Sequence, residues 1–428
     1  MSNPQDITNL RAEEEEDAYI DDTQIAETVP EDENADAPMD DDEEGEAGEP
    51  MELEDDGHDI GINDDGNIEL DMSNNSSAYF DKHQDSIFLI ATHPTLPMVM
   101  TGGGDDIAYL WTTNSDSPKV VATLDGQTES VIAGGFSFDG AFAVTGDMNG
   151  QIRVWKSVKR GQQWEFVDKI KEVEEIVWIT FHPKQPIFAF GAVDGSVWVY
   201  SLEPTLSSVS VLMGHHLTTN AGVFFDVDNM DSLSLITIAD DSIISWNAYT
   251  STANYTLREG DLNNKTGWIS QAVSITGKTI AVGSQAGFVA LIALANGNVL
   301  KIFDTTTSDD VEMEARSVEG IAWCKAMPIL AVGNVQGEVI VYDAATFNVR
   351  RVFKVKDAVT ALKFIPNTTL LVGSDLSGSI TKWDVRSGEQ KWEGKGHYAG
   401  VLGFVLQNEG KRIISAGDEG VALVFNHE

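Results

Sequence analysis

TGGGDDIAYLW, Thr101–Trp111, decides how this chain folds. Its three glycines and two aspartates have the composition of a phosphate cradle. Such a cradle needs backbone N–H groups opening into a helix, usually with a Lys to meet the β and γ phosphates. No Lys follows here, and Ile107, Tyr109 and Trp111 alternate as strand residues do. A site should occur once, whereas architecture repeats. Aligned on its last residue, the unit recurs as TGDMNGQIRVW to Trp155, FGAVDGSVWVY to Tyr200, ITIADDSIISW to Trp246 and VGSQAGFVALI to Ile292. It continues as VGNVQGEVIVY to Tyr342, GSDLSGSITKW to Trp383 and SAGDEGVALVF to Phe425, eight copies in all.

The sixth position is Gly in six copies and Asp in the other two, as a tight hairpin turn with φ > 0 prefers. Each unit therefore reads as strand, turn, strand. Another apolar strand precedes it, as in HQDSIFLIATHP from His83 and EVEEIVWITFHP from Glu172, and a shorter one such as KVVATL from Lys119 follows. The ends of the units are 44, 45, 46, 46, 50, 41 and 42 residues apart. Four strands at that period are a propeller blade. The fold class expected is all-β, an eight-bladed propeller, with seven blades and a loose module as the alternative. The chain stops on the third strand of the eighth blade. The missing outer strand must come from the N-terminal side, within Asn67 to His83, closing the ring like a clasp.

The pattern resembles the WD-repeat (WD40) family from about Asn75 onward. In that family a His, a Ser or Thr, an Asp and a Trp are linked across each blade by hydrogen bonds that satisfy buried polar groups. The resemblance gives His83, Thr101, Asp105 and Trp111 as the structural tetrad of the first repeat, so Asp105 is read as a buried acceptor rather than a metal ligand. Other repeats depart from the set: Asn149 replaces Asp, Tyr200, Tyr342 and Phe425 replace Trp, and the fifth repeat has lost nearly all of it.

Charge divides the chain unevenly. The first 72 residues hold 29 Asp or Glu and one Arg, a net of −28 out of −42. A segment such as EDENADAPMDDDEEGEAGEPMELEDDGHD cannot bury enough apolar surface to offset chain entropy. The expected domains are an acidic disordered tail over 1–66 and the propeller over 67–428. The single cysteine, Cys324, excludes an intramolecular disulfide framework. No secretory h-region and no run of 18 apolar residues is present, so a reducing, cytoplasmic setting is expected.

Catalytic and metal readings find little support. GINDDGNIELDM would be a calcium loop only with carboxylates where Gly61 and Met72 stand. His215 and His216 have no Cys or second His pair nearby for zinc, and no nucleophile elbow accompanies the histidines. No cofactor, no metal and no enzymatic activity are expected. Paired carboxylates for glycoside hydrolysis stay open as an alternative, since propellers can host them.

A binding surface remains. The turn before each inner strand and the hairpin turn inside each unit should emerge on one face. Two residues past the His position stand Asp85, Glu129, Glu174, Thr218, Gly267, Arg316, Asp357 and Ala399, four acids against one base. The hairpin turns add Asp106, Asp147, Asp375, Asp418 and Glu419, with Glu175 and Glu319 close by. Loops are polar in any acidic chain, which is the plain alternative. The sharper reading is a negative funnel that concentrates a Lys/Arg-rich peptide and repels nucleic acid. Trp268 and Tyr398, each at the start of an inner strand, are placed to stack on guanidinium planes.

A closer resemblance is carried by LDMSNNSSAYFDKHQDSIF together with TGGGDDIAYLW, EVEEIVW, FGAVDGSVW and ISAGDEGVALVF. These look like the fungal WD-repeat chaperones dedicated to one large-subunit ribosomal protein, L-ten (universal L-sixteen), whose animal relative is the angio-associated migratory cell protein. The resemblance implies a cytoplasmic protein that captures the basic N-terminal segment of that client during or just after synthesis and hands it to the pre-60S particle; a monomer is expected, with direct nucleic-acid contact excluded by the acidic charge and a membrane by the absence of an apolar run. A general interaction scaffold with several partners is the other binding-class reading.

Overall fold

The computed structural model describes residues 73–263, 265–306 and 313–426, together with a short backbone strand pair at Gly61–Ile62 and Ile68–Glu69. The acidic tail expected over 1–66 falls outside the described residues apart from Gly61–Ile62. From residue 73 onward, eight four-stranded antiparallel sheets follow. Blades 1 to 8 span 87–124, 131–171, 176–212, 219–258, 268–304, 318–354, 359–394 and 401–426. The chain is an eight-bladed β-propeller.

Three of blade 8's strands are Val401–Gln407, Arg412–Gly417 and Ala422–Asn426. Its fourth is Ala78–Phe80, in the register Ala78 to Val424, Tyr79 to Leu423 and Phe80 to Ala422. That short strand alternates buried, exposed, buried. Ala78 and Phe80 enter a core shared with Ile87, Val99 and Trp111 of blade 1 and Val405, Ile414 and Val424 of blade 8. The Phe80 ring stacks on Trp111 at 4.7 Å and 2°. Full burial of a Phe side chain is worth about 1.5–3 kcal/mol, and the strand adds this to a seam that Thr113 Oγ1 to Gln407 Oε1 (2.7 Å) and Gln407 Nε2 to Thr92 Oγ1 (2.8 Å) also bridge.

The first strand of each blade is the inner one, and these strands pack against one another around the ring, including Val401–Gln407 against Ile87–Thr92. In every blade the register between the first two strands slips after the first residue, as at Ile87/Leu89, Ile176/Trp178 and Val318/Gly320. Such a bulge leaves one residue unpaired and sharpens the local twist. Inner strands also have one edge without a sheet partner, and side chains of neighbouring blades cover some of its carbonyls. Thr360 Oγ1 donates to Val401 O at 2.6 Å and Asn220 Nδ2 to Trp268 O at 2.9 Å. Both are cross-blade bonds that fasten one wedge to the next.

Polar groups inside the blades are paired by a recurring set. In blade 1, His83 Nε2 lies 2.9 Å from Thr101 Oγ1 and Nδ1 3.0 Å from Asp105 Oδ1, while Trp111 Nε1 donates to Thr101 Oγ1 at 3.1 Å. Blade 4 builds nearly the same set: His215 bridges Thr237 Oγ1 (2.6 Å) and Ser242 Oγ (2.7 Å), Ser242 donates to Asp241, and Trp246 Nε1 donates to Thr237. Burial pushes the His215 imidazole down to about 4, so the ring is neutral in the folded protein. The set is hidden in the sequence because the blade 4 hairpin is one residue shorter. Alignment on Trp246 therefore puts Ile236, not Thr237, in the Thr column.

Candidate functional site

One backbone hydrogen bond, present in all eight blades, builds the face. The first residue of each hairpin turn donates its N–H to the carbonyl of the turn that leads into the same blade's inner strand. Examples are Gly104 N to Ser86 O at 2.9 Å, Met148 N to Ser130 O at 3.0 Å, Val193 N to Glu175 O at 3.3 Å and Asp418 N to Gly400 O at 2.9 Å. Both kinds of turn thus lie side by side. The hairpin glycine then backs onto the next blade. Gly195 has φ +85°, and a Cβ there would sit 2.9 Å from His215 O. Gly420, at φ +80°, would meet Asp85 O at 2.8 Å and joins the last blade to the first. Glycine meets both demands at these two positions, while in blade 1 Asp106 takes the corresponding place at φ +61°, which Asp tolerates better than most residues.

Carboxylates follow this chain of contacts. Asp418 is exposed on the blade 8 hairpin and accepts Ser86 Oγ at 2.6 Å, next to exposed Asp85. Asp85 lies against Gly104, one residue from Asp105 and two from Asp106. Asp106 is half-buried, and its carboxyl is pushed above the usual range by burial first and then by Glu129, Asp105 and Asp147. Exposed Glu129 follows in the turn before blade 2, and exposed Glu174 and Glu175 in the turn before blade 3, where Gly150 of the blade 2 hairpin is seated. Blades 8, 1, 2 and 3 therefore carry a continuous acidic arc.

The arc ends at a cavity of about 510 Å³ lined by Lys171, Glu172, Val173, Glu174, Glu175, Val193 and Asp194. Four of these side chains are carboxylates. Glu172 accepts the Tyr200 hydroxyl at 2.7 Å and Asp194 accepts Ser196, while the carboxylates of Glu174 and Glu175 make no hydrogen bond or ion pair among the described residues. A guanidinium entering here meets four carboxylates against the single ammonium of Lys171, two of them with no side-chain partner, and charge-assisted hydrogen bonds to them strengthen as the bound chain covers the site from water. Beyond it the arc is interrupted: on blade 4, Asp241 is held by Arg258 at 2.8 Å.

Other acids lie apart or turn inward. Glu319 is exposed across the ring, with Ser317 Oγ donating to it at 2.6 Å. Asp357 is half-buried and accepts the Ala358 N–H at 2.6 Å. Tyr398 is 78 % exposed and available for stacking.

Four residues lie differently from the sequence reading. Trp268 is fully buried, because it fills the first inner-strand position that Ile87, Ile176 and Val318 fill elsewhere, so it offers no ring to a ligand. Glu419 stands in the column of Asp105. Its side chain is 4 % exposed and pairs with His397 Nδ1, whose Nε2 lies 2.7 Å from Ser415 Oγ. It belongs to the blade 8 polar set rather than to the rim. Asp147 and Asp375 are buried as well. Asp147 accepts the N–H groups of Gln151 and Thr128, and Asp375 those of Ser377 and Ser379.

Among the described residues no group of three or more His, Cys, Asp or Glu is placed to hold a metal ion, and no helix is long and apolar enough to cross a membrane. Ring, repeated hairpin units and acidic rim define a WD-repeat propeller with carboxylates grouped on one face. Family models agree over parts of the chain: "WD domain, G-beta repeat" matches residues 118–156 and "Anaphase-promoting complex subunit 4 WD40 domain" residues 321–419. The chain is 38 % identical over 400 residues to the ribosome assembly protein SQT1 of Saccharomyces cerevisiae, covering 88 % of this chain and 92 % of the relative. It is 25 % identical to the human angio-associated migratory cell protein, over 83 % of this chain and 81 % of that one. A crystal structure of Chaetomium thermophilum Sqt1 bound to the N-terminus of the ribosomal protein L10 superposes with a TM-score of 0.75 at 30 % identity, covering 83 % of this chain and all of that one. The chain belongs to the Sqt1 family of WD-repeat ribosome assembly proteins, a non-enzymatic family of propellers.

Proposed function

We propose that this protein is a dedicated chaperone of large-subunit ribosome assembly. It binds the basic N-terminal segment of ribosomal protein L10 (universal L-sixteen) on the acidic face, during or just after synthesis in the cytoplasm, and delivers the client to the pre-60S particle as a monomeric carrier. The observation that carries this reading is the acidic arc from Asp418 to Glu175, ending in a cavity with two unpaired carboxylates. The L10 N-terminus bound to a relative of the same fold supports it. Asp85, Asp106, Glu129, Glu174, Glu175 and Asp418 hold arginine or lysine side chains in this reading, and Glu319, Asp357 and Tyr398 flank the opposite side.

Charge explains the direction of selectivity. Carboxylates grouped on one face concentrate a basic segment and repel phosphate, so an unassembled ribosomal protein is taken in preference to RNA. The protein acts by binding, without catalysis. Affinity purification with nascent chains attached, followed by sequencing of the bound mRNA, tests the proposal. The L10 message should be enriched over messages of other basic ribosomal proteins. Equal recovery of all of them would make the protein a general scaffold instead.

A further inference from the structure

The acidic face also exposes apolar side chains that its turns do not require. At the first residue of each hairpin turn the structural duty belongs to the backbone N–H, and Gly104, Gln285 and Asp418 perform it with no apolar side chain at all. Yet blades 2, 3 and 7 place Met148, Val193 and Leu376 there, 42 %, 40 % and 39 % exposed, and Leu217, in the turn leading to blade 4, is 53 % exposed. Leu376 lies across the ring, whereas Met148, Val193 and Leu217 follow one another beside the carboxylates of blades 2 and 3. Met148's hairpin is seated on the turn bearing Glu174 through Gly150, and Val193's hairpin on the turn bearing Leu217, where a Cβ on Gly195 would lie 3.0 Å from Leu217 O. Val193 also lines the cavity that Glu174 and Glu175 wall.

We propose that Met148, Val193 and Leu217 form an apolar track that receives large aliphatic or aromatic side chains of the bound basic segment, beside an arginine or lysine seated in the blade 3 cavity. The inference rests on the acidic-face reading above and narrows its ligand to a segment that alternates basic and apolar residues. Carboxylates attract any basic peptide at long range, whereas apolar contact acts only at short range and separates one such peptide from another. A purely apolar occupant, including a second copy of this track, would cover Glu174 and Glu175 and leave their charges without compensation. A segment carrying both kinds of side chain satisfies both surfaces.

Two synthetic peptides of equal charge test this by fluorescence anisotropy: each carries the same arginines, one with two leucines between them and the other with serines in their place. The wild-type protein should bind the leucine peptide about tenfold more tightly, the difference that burial of a few methylene groups produces. That preference should persist at about 500 mM salt, where screening weakens both peptides alike. The Met148→Ser/Leu217→Ser protein, altered outside the lining of the blade 3 cavity, should lose the preference while binding the serine peptide within about twofold of wild type. Leu217→Ser alone, a single exposed change, should lower the preference on its own and guards against misfolding of the double variant. If both peptides bind wild type equally, or the variants keep the preference, the track is refuted and the acidic face stands. If neither peptide binds, the reading beneath it fails as well.

Discussion

Replacing Phe80 by Ala tests how the ring is closed. The Phe80 side chain is 3 % exposed, stacked on Trp111 and packed edge-on against Tyr109 at 5.7 Å, and it belongs to a strand of only three residues. Truncation of a buried Phe to Ala costs about 3–5 kcal/mol. The strand's other buried side chain is Ala78, and hydrogen bonds such as Ser77 Oγ to Val424 O and Asn75 Nδ2 to Glu393 O, both at 2.8 Å, tie the segment before it to the last two blades, so Phe80 supplies most of the apolar burial of the strand. Tyr79 is 59 % exposed on the same strand and supplies the control, since Tyr79→Ala should cost well under about 1 kcal/mol. Urea unfolding followed by tryptophan fluorescence gives both values. Hydrogen exchange adds a local readout, because the amides of Ala422–Val424 face a partner strand that Phe80→Ala should release. Costs within about 1 kcal/mol of each other, with unchanged exchange at Ala422–Val424, would show that the ring does not depend on this strand.

Two more perturbations address the buried polar sets. His397→Ala leaves the Glu419 carboxylate buried without its partner and should destabilise the protein by about 3–5 kcal/mol, read as a lower urea midpoint; Glu419→Gln with His397 intact should cost less. The His215 ring titrates near 4 when folded, chiefly through burial, and near 6.5 when unfolded. Its contribution is therefore complete above about pH 6.5 and is lost as pH falls toward 4, on the order of 3 kcal/mol, and a His215→Gln protein should show a shallower decline over that window. An identical decline would place the acid sensitivity elsewhere.

The blade count could be read from the sequence because the hairpin unit repeats at nearly constant spacing, which survives the loss of individual side chains. Blade 5 retains its strand–turn–strand pattern in VGSQAGFVALI although nearly all of the polar set is gone. The direction in which each acid points was harder to read. Glu419 and Asp418 are neighbours in one turn, yet one is sealed against His397 and the other lies in solvent. The column shared with Asp105 was the available signal for Glu419, and the column of Ile87, Ile176 and Val318 was the signal for Trp268. Blade 4 shows the opposite failure: a one-residue deletion moved Thr237 out of its column, and only the hydrogen bonds to His215 and Trp246 reveal its role. The apolar track was invisible for a third reason, since Met148, Val193 and Leu217 look like ordinary turn or strand residues until their exposure is known.

The central claim is that unpaired carboxylates on one face hold a basic peptide. Calorimetric titration of the L10 N-terminal peptide into wild-type protein, a Glu174→Lys/Glu175→Lys protein and a control tests it most directly. Asp116→Lys/Glu203→Lys is the control, because both acids are exposed in loops between the third and fourth strands, on the opposite face. A guanidinium held by two carboxylates gains roughly 1.5–3 kcal/mol per charge-assisted hydrogen bond, so the first variant should bind at least about tenfold more weakly. The control should stay within about twofold of wild type, and wild-type affinity should fall as salt rises from about 50 to 500 mM and the Debye length contracts about threefold. Equal weakening by both double variants would reduce the effect to net charge, and binding indifferent to charge reversal and salt alike would contradict the account.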